Sequence, residues 1–176
     1  MLNRDATKIK DNLYYDERSA GGVVYKIENS VVYWLIIKTI KSNKFARMGS
    51  GGKFVNREVF KFPKGHLKED EFLKQAALRE VEEEGQVKAQ IVTKIGSRDY
   101  IMLNKFEKTK TVKKVTFFLM KYLENSNLRY FDKEGVVDRM WLKYDDASDR
   151  LTYDSEKILL GRAREKLERT RRDHNH

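Results

Sequence analysis

Glu80, Glu82, Glu83 and Glu84 crowd a few positions of a chain that has no cysteine and only three histidines, so carboxylates are the groups best placed to do chemistry. At 100° per residue, Glu83 and Glu84 fall about 60° and 40° to either side of Glu80 on a helix, so three acids share one face while Glu82 points away. Like charges at this spacing cost roughly a few tenths of a kcal/mol per pair. A helix C-terminus adds to the cost, because it carries about half a negative charge and favours Lys or Arg. Something cationic should relieve the cluster. With neither thiolates nor a histidine pair, hard oxygens match Mg²⁺ or Mn²⁺, which take a few carboxylates together with water and substrate phosphate oxygens. The competing reading is a solvated acidic face at the end of a surface helix.

The element that must carry these acids is a helix over residues 70–84. It is made of good helix formers, with Phe72, Leu73, Ala76, Ala77 and Val81 at three- and four-residue spacings and Gly85 standing where a left-handed cap belongs. Before it, residues 20–25 and 31–40 read as a β-hairpin turning at Glu28-Asn29-Ser30, and residues 58–62 as a short strand ending at Pro63, the only proline. After it, strands are expected over 89–98, 112–122 and 136–142, then an amphipathic helix over 154–167 through Ile158, Leu159, Ala163 and Leu167. Strands flanked by one early and one late helix imply an α/β/α sandwich around a mixed sheet. The expected organisation is an N-terminal arm at 1–17, one domain at 18–168 and a charged, frayed tail at 169–176.

Length and composition bound the rest. The 176 residues, 36% charged and 40% hydrophobic, suit a single compact domain. The longest apolar run, residues 31–37, is far short of the roughly 20 residues that span a bilayer, and Arg4, Asp5, Lys8, Lys10 and Asp11 break up any secretory leader. The lack of cysteine excludes disulfides, iron–sulfur clusters and thiolate zinc, and the expected location is the cytoplasm. A formal charge of +10 favours polyanions such as nucleotides, RNA or phosphorylated metabolites without choosing among them.

The spacing of Gly65, Glu71, Arg79, Glu80, Val81, Glu83, Glu84 and Val87 resembles the Nudix box: glycine, five residues, glutamate, seven residues, Arg-Glu-aliphatic, one residue, Glu-Glu, one residue, Gly-aliphatic. Every specified position matches except Gln86, where the pattern has glycine. Residues 19–24 (SAGGVV), 62–66 (FPKGH), 110–120 (KTVKKVTFFLM), Trp141 and 151–154 (LTYD) extend the likeness. The resemblance implies a Nudix α/β/α fold, with the catalytic helix in a loop-helix-loop box. It also implies hydrolysis of a nucleoside diphosphate linked to another moiety by water attacking phosphorus, with divalent metals bound by the box. On these terms Glu80 and Glu84 are metal ligands, Glu83 is a ligand and the base, the Gly65 carbonyl completes the inner shell, and Arg79 holds the glutamates by ion pairing. Glu71 supports the box, either as a first-turn acid or as an outer-shell ligand.

Beyond the box, Lys64 is placed to meet phosphate oxygens, the alternative being an exposed turn lysine. Tyr100 falls where diadenosine-tetraphosphate-cleaving Nudix enzymes stack a tyrosine on the nucleobase, against the reading of a core aromatic. Glu134 is one residue away from the family's additional acid, at the place of Gly135. His66 reads as structural, and His174 and His176 as inert. The basic, glycine-rich loop 41–53 is either a lid over polyphosphate or a solvated insertion. The run Arg162, Arg164, Lys166, Arg169, Arg171 and Arg172 either contacts RNA or keeps a surface wet. The substrate expected from the resemblance is a dinucleoside polyphosphate or a modified nucleoside triphosphate. The alternatives are removal of pyrophosphate from the 5′ end of RNA and a non-catalytic nucleotide sensor. No membrane or DNA partner is expected.

Overall fold

A computed structural model describes residues 17–42, 56–104, 109–128 and 135–173. Its elements in chain order are β1 (Glu17–Glu28), β2 (Val31–Ser42), β3 (Asn56–Lys61), β4 (Lys64–His66), α1 (Leu73–Gly85), β5 (Val87–Asn104), β6 (Thr109–Asn125), β7 (Val136–Leu142), α2 (Tyr144–Arg150) and α3 (Asp154–Asp173). The expected hairpin is β1–β2. It turns at Asn29 and Ser30, whose φ values of 49° and 66° give the doubly left-handed turn that matches the right-handed twist of its strands.

β6 pairs in parallel with β1 over Glu17–Tyr25, so the other partners of β1 must share its remaining edge. β2 takes that edge down to Tyr25↔Trp34, after which the two strands part. The chain of β3, Pro63 and β4 fills the wedge, β3 pairing with β2 through Ile37↔Lys61 and β4 with β1 through Ala20↔Gly65. β7 lies on the far edge of β2 and β5 on the far edge of β6. All pairs except β1–β6 are antiparallel, giving a mixed seven-stranded sheet among the described residues.

Alternation along the central strands divides the core in two. Val23, Tyr25, Trp34, Ile36, Phe117 and Leu119 face α2 and α3, while Ala20, Val24, Leu35, Phe118 and Met120 face α1. The α/β/α expectation therefore holds. Several boundaries differ from the sequence reading. α1 begins at Leu73, leaving Phe72 outside and 75% exposed; the Phe72 N–H donates to Gln75 Oε1 at 2.9 Å, half of a capping box. α2 and β4 were not anticipated. Ile158 is half exposed and Leu160 takes its place in the core.

α3 continues to Asp173, into the stretch from residue 169 expected to be a frayed tail. Leu167 is buried, and Glu168 pairs with Arg164 and Arg172 across single turns at 3.9 Å each. Residues 1–16, the heart of loop 41–53, Glu134, His174 and His176 lie outside the described residues. Among those described, no helix is long and apolar enough to cross a membrane.

Candidate active site

α1 meets the sheet closely because its contact face is small. Ala76, Ala77 and Val81 are fully buried, and a Cβ on Gly22 of β1 would come within 2.6 Å of Val81 and 2.8 Å of the Met120 sulfur. Gly21 likewise admits β4, since a Cβ there would sit 2.3 Å from the Pro63 carbonyl oxygen. The end of α1 departs from the expected cap. Gly85 is the last helical residue, and Gln86 adopts the left-handed conformation (φ 54°), its N–H bonded to the Glu82 carbonyl at 3.0 Å. The box's glycine position thus keeps its backbone role with a glutamine in it. Gly85 is glycine for a different reason: a Cβ would lie 2.9 Å from Leu35 Cδ2.

The crowded acids are each held by the chain itself. Arg79 donates Nε to Glu71 Oε1 and Nη2 to Glu71 Oε2, both at 2.8 Å, and Nη2 also reaches the His66 carbonyl at 2.9 Å. Its Nη1 spans Glu80 Oε1 at 2.5 Å and Glu83 Oε2 at 3.0 Å. Glu84 accepts from Lys61 Nζ at 3.1 Å and from the Lys64 backbone N–H at 2.8 Å. Glu82, on the other side of the helix, accepts from Ser126 Oγ at 2.8 Å. The helix end gains its cation from β7, where Arg139 Nε donates to the Glu84 carbonyl at 2.7 Å.

Burial decides the proton affinities of this group. It raises the pKa of Glu80 against the opposing Arg79 hydrogen bond and charge, and that of Glu84 against the charge of Lys61. Glu71 is lowered, chiefly by its Arg79 hydrogen bond. Glu83 is the most open of the three same-face acids, its side chain 27% exposed against 10% and 4% for Glu80 and Glu84.

Gly65 lies flush against Glu80, since a Cβ there would overlap both carboxylate oxygens at 2.3 and 2.4 Å. Glu80, Glu83, Glu84 and the Gly65 carbonyl therefore form a donor set of hard oxygens only, matching in kind a hard divalent cation. Among the described residues, no three acidic or histidine side chains converge on one point as a metal group; Arg79 and Lys61 occupy the carboxylates instead.

Beside Gly65 opens a cleft lined by Ser19, Thr39, Lys61, Lys64, His66, Lys113 and Tyr153. Lys64 does sit beside the box, its Nζ 3.7 Å from Glu156 Oε1. Tyr100 does not end a strand. It lies within β5 opposite Lys113, packs against the α3-side core and hydrogen-bonds Ser155. His66 is exposed, with Nε2 3.0 Å from Glu17 and 2.9 Å from Lys113, contacts that link β4 to β1 and β6.

Four residues of this region escaped the sequence reading as individuals. Lys61 had a signal, because the inward alternation of Val59 and Lys61 puts a lysine where an apolar residue belongs. Glu156 had one too, standing on the stripe of Leu159, Leu160, Ala163 and Leu167. It is 1% exposed, and burial pushes its pKa up to about 7 against the charges of Lys64 and Lys61 and a backbone hydrogen bond from Phe62. Lys113 and Arg139 reach the site only through strand pairing, which local pattern does not encode.

The family model of the NUDIX domain matches residues 40–161 of this chain. No curated protein matches it. Its fold is similar to that of a NUDIX hydrolase from Nitrosomonas europaea (17% identity, 85% of this chain and 89% of that one, TM-score 0.59). It is also similar to the Ap4A hydrolase of C. elegans in a binary complex (21%, 86% and 97%, 0.56). A third similar fold is the NUDIX domain of Shewanella oneidensis NrtR complexed with ADP ribose (17%, 92% and 95%, 0.53).

Proposed function

This chain belongs to the NUDIX family of hydrolases, and we propose that it cleaves a phosphoanhydride bond in a nucleoside diphosphate linked to another moiety, using Mg²⁺ or Mn²⁺. The observation that carries this reading is the meeting, at Gly65, of the acidic end of α1 with a cleft lined by three lysines. Glu80, Glu83, Glu84 and the Gly65 carbonyl would hold the metal. When bound, it supplies charge neutralisation for phosphate oxygens and acidity for the attacking water.

The chain's own residues divide the remaining work. Glu83, the most open of the acids, accepts the proton of the attacking water. Glu80 and Glu84, both buried, keep fixed directions, and Arg79 orients Glu71, Glu80 and Glu83 together. Lys61 and Lys64 offset the charge of the phosphate oxygens and of the departing phosphate. Tyr100 packs its ring against the core and is given no stacking role.

Within the family we read the substrate as a dinucleoside polyphosphate or a modified nucleoside triphosphate, supported by the lysine-lined cleft and by the fold shared with an Ap4A hydrolase. The test is product analysis with Mg²⁺ or Mn²⁺ across dinucleoside polyphosphates, normal and oxidised triphosphates, nucleotide sugars and triphosphorylated RNA. Cleavage of a nucleotide anhydride supports the reading; preference for the RNA moves the substrate to nucleic acid. Nucleotide binding with no turnover in any arm makes the protein a sensor.

A further inference from the structure

The cleft beside the box has a second cationic end that the proposed chemistry does not use. Register fixes where it lies: on β1, Ala20 pairs with Gly65 and Ser19 with His66, while on the opposite edge Glu17 pairs with Lys113. Lys113 therefore stands three β1 residues from the level of Gly65, about 10 Å along the strand. Its ammonium reaches across β1 to His66 Nε2 at 2.9 Å and comes only within 3.8 Å of Glu17 Oε2. One neutral imidazole nitrogen cannot both accept from Lys113 and donate to Glu17, so His66 serves one of them at a time.

Ser19 supplies the second observation. It is 1% exposed, it lines the cleft, and its hydroxyl has no hydrogen-bond partner among the described residues. A buried hydroxyl without a partner is costly unless a ligand completes it. Here it shares the cleft with the Lys113 ammonium, the pairing of neutral donor and cation that binds a phosphate oxygen.

We propose that Ser19 and Lys113 form an anion subsite for phosphates beyond the scissile anhydride, selecting substrates with a chain of three or more phosphates over a pyrophosphate capped by a neutral sugar. The direction in which substrate lies rests on the hydrolase reading above. The binding site itself does not.

Calorimetric titration of the metal-free protein with inorganic pyrophosphate and tripolyphosphate tests it. The wild type is expected to bind tripolyphosphate roughly tenfold more tightly, the scale of one charge-assisted contact. Lys113→Gln and Ser19→Ala should each remove most of that preference while changing pyrophosphate affinity by less than about twofold. Ser19→Ala deletes a hydroxyl that makes no hydrogen bond among the described residues, so it keeps the fold if Lys113→Gln does not. In turnover, Lys113→Gln should raise KM for a nucleoside triphosphate at unchanged kcat and leave the KM for ADP-ribose alone. A wild type with no preference for the longer chain, or a preference that survives both substitutions, overturns the subsite. Chain-length preference without turnover of any nucleotide would retire the hydrolase reading and leave the subsite standing; turnover without the preference would do the reverse.

Discussion

Toward α3 the sheet presents Tyr25, Trp34, Ile36, Phe117 and Leu119, whereas toward α1 it presents Ala20, Gly22, Val24, Leu35, Phe118 and Met120, with Ala20, Gly22 and Val24 of β1 under a helix face of Ala76, Ala77 and Val81. The first face buries large side chains in quantity, and its contribution grows with apolar area. The second buries less but holds a helix so close that a single methyl at Gly22 would collide with Val81, and one at Gly85 with Leu35 of the sheet. Stability and position are thus assigned to opposite sides of one sheet. The closely approached side carries the acids.

That division is open to direct attack. Glu83→Gln, on the positioned side, should lower turnover by roughly 10² to 10⁴ at saturating metal, with a melting temperature close to wild type. Near-wild-type turnover would remove Glu83 from the base role. Phe117→Ala, on the other side, should cost about 3–5 kcal/mol in denaturant unfolding while the folded fraction keeps its kcat. A large loss of kcat in the folded fraction would show that the two faces are not separable.

Glu156 blurs the boundary, being a charge placed in the stabilising core. Its pKa is raised from 4.5 to about 7, so the folded state holds the proton more tightly than the unfolded chain. Its penalty is absent below the ordinary carboxylate value, grows between the two pKa values and is complete above about pH 7. Glu156→Gln should therefore stabilise the protein by about 3 kcal/mol more at pH 8 than at pH 4, measured by urea unfolding. Equal effects at both pH values would contradict a carboxylate whose proton is held by burial. The smallest effect belongs to the cap: Gln86→Gly relieves a left-handed non-glycine residue and should gain about 0.5 kcal/mol in the same assay.

The acids were legible because helical periodicity is local: the positions of Glu80, Glu83 and Glu84 follow from 100° per residue wherever the helix packs. The layer order and most strands were legible for the same reason. What was not legible came from partners distant in sequence. Gly85 looks like a cap because glycine favours left-handed backbone, yet it answers to Leu35, some fifty residues earlier. β5 runs past Arg98 to Asn104 because β6 pairs with it down to Asn104↔Thr109, a long-range pairing that Tyr100 and Ile101 do not announce. Lys61 and Glu156 break the apolar pattern of their own elements, and such breaks mark the cleft more reliably than the exposed basic runs do.

On the proposed function, the carboxylates at the end of α1 are kept together for a divalent cation. Titrating Mn²⁺ into the wild type and into Glu80→Gln, Glu83→Gln and Glu84→Gln, read by water-proton relaxation, tests it without substrate. Saturable binding by the wild type and at least about tenfold weaker binding in each variant are expected. A wild type that binds no Mn²⁺, or three variants that bind it as well as the wild type, would contradict it.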